Sequence, residues 1–155
     1  SVKAQMRNNV VQEKKYGDRL QATLLQYNNR NITSADVIAR LIELAKEFRE
    51  AASRGEKLGL NPAELAFFDA LASNESAARE MQDDVLKLIA QELATKLRNS
   101  TTVDWQKRES VRARLRNLVR ITLRRHKYPP EYTDDAVLLV LTQAERLADD
   151  WSQTD

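Results

Sequence analysis

Three glycines and three prolines are the only strong backbone punctuation in a chain of 155 residues. Hairpins and tight turns between strands draw heavily on glycine and proline at fixed positions. A chain so poor in both has little with which to fold a sheet back on itself. The space is filled instead by Leu, Ala, Arg, Glu, Lys and Gln, the residues that lose least on entering a helix. No strand-like alternation runs for a useful length, and there is no internal repeat or low-complexity tract. The expected class is all-α, a single helical bundle of about six helices. With 42% hydrophobic residues, one core fits this length, since such a domain buries about 68–70% of its unfolded surface.

The helices are marked by caps and by apolar spacing. A first is expected from about Lys3 to Gln26, with Gly17 a soft spot and only a broken stripe in Val10, Val11, Leu20, Leu24 and Leu25. The run Tyr27 to Asn31, YNNRN, is the one linker-like stretch. A second helix starts at a Thr33 or Ser34 cap and carries Val37, Ile38, Leu41, Ile42, Leu44, Ala45 and Phe48 at spacings of three and four. Gly55 or Gly59 should end it. In LNPAELAFFDALA, Asn61 caps, Pro62 takes the first helical position and Glu64 closes a capping box. A fourth helix is expected from about Asp83 to Arg98. A fifth starts near Asp104 or Trp105 and must stop before Pro129-Pro130, which cannot continue it. The sixth, expected to be capped by Thr133, is apolar almost all round from Ala136 to Leu141, the pattern of a central strut.

Charge is unevenly spread. Trp105 to Tyr132 holds nine basic residues against two acids, a surplus of +7 in a chain of formal charge +2, which leaves −5 for the remainder. At about 100° per residue, Val111, Leu115, Leu118, Val119 and Thr122 share one side of this helix, while Arg112, Arg116, Arg120 and Arg124 climb the other flank. Like charges four residues apart repel by a few tenths of a kcal/mol per pair, so the stripe costs stability unless acids meet it. The bland reading is a solvated face neutralised by the acidic remainder of the domain. The functional reading is a contact face for a protein partner or for DNA, because arginine suits both interface ion pairs and phosphates. A pI of about 8.9 and the lack of aromatic residues among the arginines favour protein. The candidate contact residues are therefore Arg108, Arg112, Arg116, Arg120 and Arg124, with Trp105 as an interface or packing anchor.

Chemistry is not signalled. The chain has no cysteine, which removes thiolate nucleophiles and cysteine metal sites and fits a reducing compartment. His126 is its one histidine and sits in the last turn of the basic helix, where a C-terminal cap or a contact with Tyr128 explains it better than general-base work. Asp83-Asp84, Asp134-Asp135 and Asp149-Asp150 lie at helix ends. GEKLG at Gly55 is too short to cradle a phosphate. Glu13-Lys14-Lys15 imitates a nuclease E-x-K, but that chemistry sits on strands and this stretch is helical. No catalytic, cofactor-binding or metal residue is expected. With neither a long apolar span nor a signal-like start, the expectation is a cytoplasmic protein without membrane contact.

The runs ELAKEFREAASRGEKLGLNPAELAFFDALASNESA and TVDWQKRESVRARLRNLVRITLRRHKYPPE, followed by an apolar last helix, resemble the C-terminal helical region of the restriction (motor) subunit of type I restriction–modification enzymes. The resemblance covers roughly Asp36 to Leu147. It rests most on Leu60, Glu64, Phe67, Phe68, Asp69 and Leu71, and on Val103, Asp104, Trp105, Arg108, Glu109, Arg112, Leu115, Tyr128, Pro129 and Pro130. It implies that residues 1–30 form an N-terminal helix joining the rest of a larger subunit, and that 31–155 form a C-terminal helical domain. It further implies a parent that translocates DNA with ATP and magnesium and then cleaves it in defence against foreign DNA. The domain's own role would be to dock the motor onto the methylation and specificity subunits, with direct DNA contact through the arginine stripe as the alternative.

Overall fold

The computed structural model describes residues 8–100 and 108–154, apart from the side chains of residues 108 and 152–154. Its described elements are α1 (Val10–Asn28), α2 (Ser34–Leu58), α3 (Pro62–Ala72), α4 (Glu75–Glu80), α5 (Asp83–Ser100), α6 (Arg108–Arg125) and α7 (Pro130–Thr154). No described residue lies in a strand, so the fold is all-α. The short α4 falls where the sequence reading placed no helix; the Asn74 side chain caps it by accepting from the Ala77 amide at 3.0 Å. The first helix, expected from about Lys3, begins instead at Val10, where the Asn9 side chain caps it by accepting from the Gln12 amide at 3.1 Å; the approach to α6 through Asp104 and Trp105 lies outside the described residues.

Local chemistry sets the boundaries. Thr33 and Asp36 form a reciprocal capping box at the start of α2 (3.2 and 3.0 Å), and Asn61 and Glu64 form another at α3 (2.8 and 2.9 Å) with Pro62 in the first turn. Gly59, at φ 73°, ends α2 in the left-handed conformation, where the amides of Gly59 and Leu60 recover the Glu56 and Gly55 carbonyls. Gly55 continues the helix rather than ending it, and it is buried. A Cβ there would stand 3.0 Å from the Leu60 carbonyl oxygen, so glycine lets α2 and the start of α3 close on each other. The last helix begins at Pro130, not Thr133, whose hydroxyl instead donates back to the Pro129 carbonyl at 3.0 Å.

The centre of the bundle is α3, not the last helix. All seven residues from Leu65 to Leu71 are buried, with α5, α7, α1 and α4 packed around them. Within the expected strut on α7, Leu138 stands 51% exposed, while Val137, Val140 and Leu141 are buried. A helix of 25 residues reaches past the core and keeps one face in water, whereas an 11-residue helix rich in apolar side chains is surrounded. Leu86, Ile89, Leu93, Leu115 and Val119 complete the interior, each contributing about 1.5–3 kcal/mol by leaving water.

Helices α1 and α2 form a hairpin whose base sits on the bundle. Gln143, fully buried on α7, accepts from the Val10 amide at 2.9 Å and donates to the Asn8 carbonyl. Tyr16 and Ala52 make a second small core with Phe48 and Leu44 against them. Beyond it the tip is open: Ile38 and Ile42, expected on the apolar stripe of α2, are 59% and 64% exposed.

Candidate functional site

Helix α6 divides as its sequence implies. Val111, Leu115, Val119 and Thr122 are buried and Leu118 is partly so, with the Thr122 hydroxyl returned to the Leu118 carbonyl at 2.9 Å. The arginines of the opposite flank are not equivalent. Arg112 is ion-paired with Glu145 of α7 in a partly buried contact. Arg120 reaches Asp134 at 3.3 Å, but the Asp134 side chain is 86% exposed. The side chains of Arg116 and Arg124 form no hydrogen bond or ion pair with other described residues. The Arg108 side chain and Trp105 lie outside the described residues.

Arg125, which periodicity did not single out, pairs with Glu92 of α5. Glu92 also meets Lys96 at 3.3 Å and His126 Nε2 at 3.5 Å. Burial pushes the Glu92 carboxyl up, but hydrogen bonds from His126 and Lys96 and the charges of Lys96 and Arg125 outweigh it, so the group is held below the usual carboxylate range. His126 thus faces a carboxylate that clamps α5 to the end of α6.

Where α6 ends and α7 begins there is a cleft of about 390 Å³ lined by Arg120, Arg124, Lys127, Tyr128, Pro130, Thr133 and Asp134. Lys127 is placed there by a left-handed backbone, φ 61°, and it forms no ion pair with described residues. Sequence reasoning passed over Lys127, because a left-handed helix end is normally announced by glycine. It also passed over the role of Asp69, a carboxylate inside an otherwise apolar run. Asp69 is buried and accepts from Asn9 at 2.8 Å, Gln12 at 3.2 Å and Arg54 at 2.5 Å. The signal was an acid on a helix with no polar face. Among the described residues no group of three or more His, Asp or Glu is arranged to hold a metal, and no described helix is long and apolar enough to cross a membrane.

An all-helical bundle with a half-neutralised basic helix on its outside is the class that fold and face define. The family model for the C-terminal region of type I restriction enzyme HindI endonuclease subunit-like proteins matches residues 1–150. The type I restriction enzyme HindI endonuclease subunit of Haemophilus influenzae is 42% identical over 149 residues, 96% of this chain and 14% of that protein. The putative type I restriction enzyme MjaIXP endonuclease subunit of Methanocaldococcus jannaschii is 34% identical over 123 residues, 79% of this chain and 12% of that protein. No solved structure matches the chain. The chain belongs to this family: it is a C-terminal domain of a type I restriction enzyme endonuclease subunit, and it spans about one seventh of the first relative's length.

Proposed function

We propose that this domain is the assembly module of its subunit, holding the motor and nuclease on the methylation and specificity subunits so that ATP-dependent translocation and cleavage can act on foreign DNA in the cytoplasm. The observation that supports it is the incomplete neutralisation of α6. The domain places acids against Arg112, Arg120 and Arg125, yet Arg116, Arg124 and Lys127 have no acidic partner among the described residues. The domain itself carries none of the catalysis in this reading; ATP and magnesium belong to the rest of the parent subunit.

The test is capture of the chain by the methylation–specificity core, with and without duplex DNA. Binding without DNA is the expected result. A parent subunit lacking residues 31–155 should keep its nucleotide hydrolysis and fail to join the core; normal assembly of that deletion would remove the docking role. Direct phosphate contact by the three unpaired cations predicts instead a log–log salt slope of about −2.7 for the isolated chain on DNA.

A further inference from the structure

Helices α6 and α7 run antiparallel, as the pairs Arg112–Glu145 and Arg120–Asp134 require. Arg112, Arg116, Arg120 and Arg124 stand one helical turn apart, and the matching row on α7 is Asp134, Leu138, Thr142 and Glu145, whose spacings of four, four and three keep to one face. The ladder therefore has acids only near its first and third rungs. In the register set by those two pairs, Arg116 falls between them, level with Leu138 and Thr142, both exposed and neither able to neutralise it. At Asp134 the ladder opens into the cleft, where Arg124 and Lys127 have no carboxylate of their own among the described residues. Arg112 and Arg120 have their repulsion offset by Glu145 and Asp134, whereas that on Arg116 and Arg124 is met by no acid among the described residues.

We propose that an acidic segment of a partner protein lies along this seam and supplies the carboxylates that α7 omits. One would meet Arg116, one would enter the cleft between Arg124 and Lys127, and an apolar side chain between them would seat on Leu138. Arg116 and Arg124 are two turns apart, about 12 Å along the axis, so acids seven or eight positions apart on a partner helix fit both. Exposed Glu131, Asp134 and Asp135 rim the same end of α7. Their charge would act on every phosphate of a duplex laid along this end of α7, whereas a partner side chain brings a single charge to a cleft that only Asp134 of the three lines. The inference rests on the docking reading and gives that contact its chemistry.

Two binding measurements on the 155-residue chain separate the two. One uses a labelled helical peptide with glutamates eight positions apart and a leucine between them; the other uses the methylation–specificity core. The triple variant Arg116→Glu, Arg124→Glu, Lys127→Glu should weaken both by about tenfold or more, since charge reversal at a docking site removes attraction and adds repulsion. Arg114→Glu, exposed but on the other flank of α6, should change neither by more than about twofold. Because the three residues make no ion pair with described residues, the variant should keep its helicity and melting temperature. If it does not, Arg116→Ala with Lys127→Ala carries the same test.

Unchanged peptide and core binding in the variant overturns the proposal and leaves docking standing. Peptide binding that depends on Arg116 and Lys127, with no core binding by the wild-type chain, overturns docking and supports the seam. Duplex DNA that displaces the peptide at physiological salt, and is itself lost in the triple variant, overturns the proposal in favour of phosphates.

Discussion

Arg30 and Lys127 both hold φ at 61°, a region that costs an L-residue with a side chain roughly 1–2 kcal/mol. Each closes a helix in the same way. The amides of Arg30 and Asn31 recover the carbonyls of Tyr27 and Gln26, and those of Lys127 and Tyr128 recover Arg124 and Leu123. Arg30→Gly and Lys127→Gly should therefore each raise stability by about 1 kcal/mol in urea unfolding, while Lys127→Gly should also weaken binding along the α6–α7 seam. The next residue shows why the second strained turn is kept. Tyr128 is buried and its hydroxyl donates at 2.7 Å to the Leu71 carbonyl, near the C-terminus of α3, a group the helix itself cannot satisfy. Burial pushes the Tyr128 phenol up to about 12, whereas an unfolded tyrosine ionises near 10. Between those values the unfolded state has lost its proton and the folded state has not, so stability is complete below about pH 10 and falls as pH rises toward about 12. Tyr128→Phe should cost about 1–3 kcal/mol at neutral pH and flatten that alkaline decline, as read by denaturation at a series of pH values.

Helices α1 and α2 are fastened to α3 by one carboxylate. Asp69 gathers Asn9 at the cap of α1, Gln12 from α1 and Arg54 from α2, so Asp69→Ala would strand three donors around a hole in the middle of the molecule. A loss of about 2–3 kcal/mol is expected, below the figure for a fully buried pair because Arg54 can still turn toward water. Faster hydrogen exchange should appear in α1 before α5; equal loosening everywhere would mean that the carboxylate does not hold the hairpin. This junction also marks how far the sequence could be read. The caps at Thr33 and Asn61 were legible because their chemistry closes within three residues, and the stop before Pro129 because a pyrrolidine ring forbids continuation. The central position of α3 was not, since periodicity reports which face is apolar and not how many neighbours surround it. Helix α4 was missed because six residues are too few to show a period, though its Asn74 cap was present. At the candidate face, the one-sided arginine stripe was visible from spacing alone. Which arginines are spent internally depends on Glu92, Asp134 and Glu145, brought alongside only by the fold.

Across the molecule, buried contact is divided unequally. Leu65 to Leu71 and the apolar faces of α5, α6 and α7 share one core, and the base of the hairpin adds Tyr16, Ala52 and Phe48. Past that point Leu24, Leu25, Ile38 and Ile42 remain exposed, so their apolar surface does little for the folded state. The ties of the distal hairpin to itself lie mainly at the surface, among them Arg40 with Gln26 and Arg19 with Glu47, a kind of contact worth about 0–1 kcal/mol each. Such a segment should open on its own, well below the free energy of global unfolding. Amides of α3, α5 and α7 are expected to exchange only through global opening, and those from about Asp18 to Glu43 at rates at least a hundredfold faster, about 2.7 kcal/mol less protected. Replacing Ile38 and Ile42 together by glutamate should then leave the global unfolding free energy within about 0.5 kcal/mol and reduce any self-association through the tip. Exchange of the tip as slow as that of the core, or a drop of several kcal/mol in the double variant, would show that the hairpin and the bundle fold as one cooperative unit.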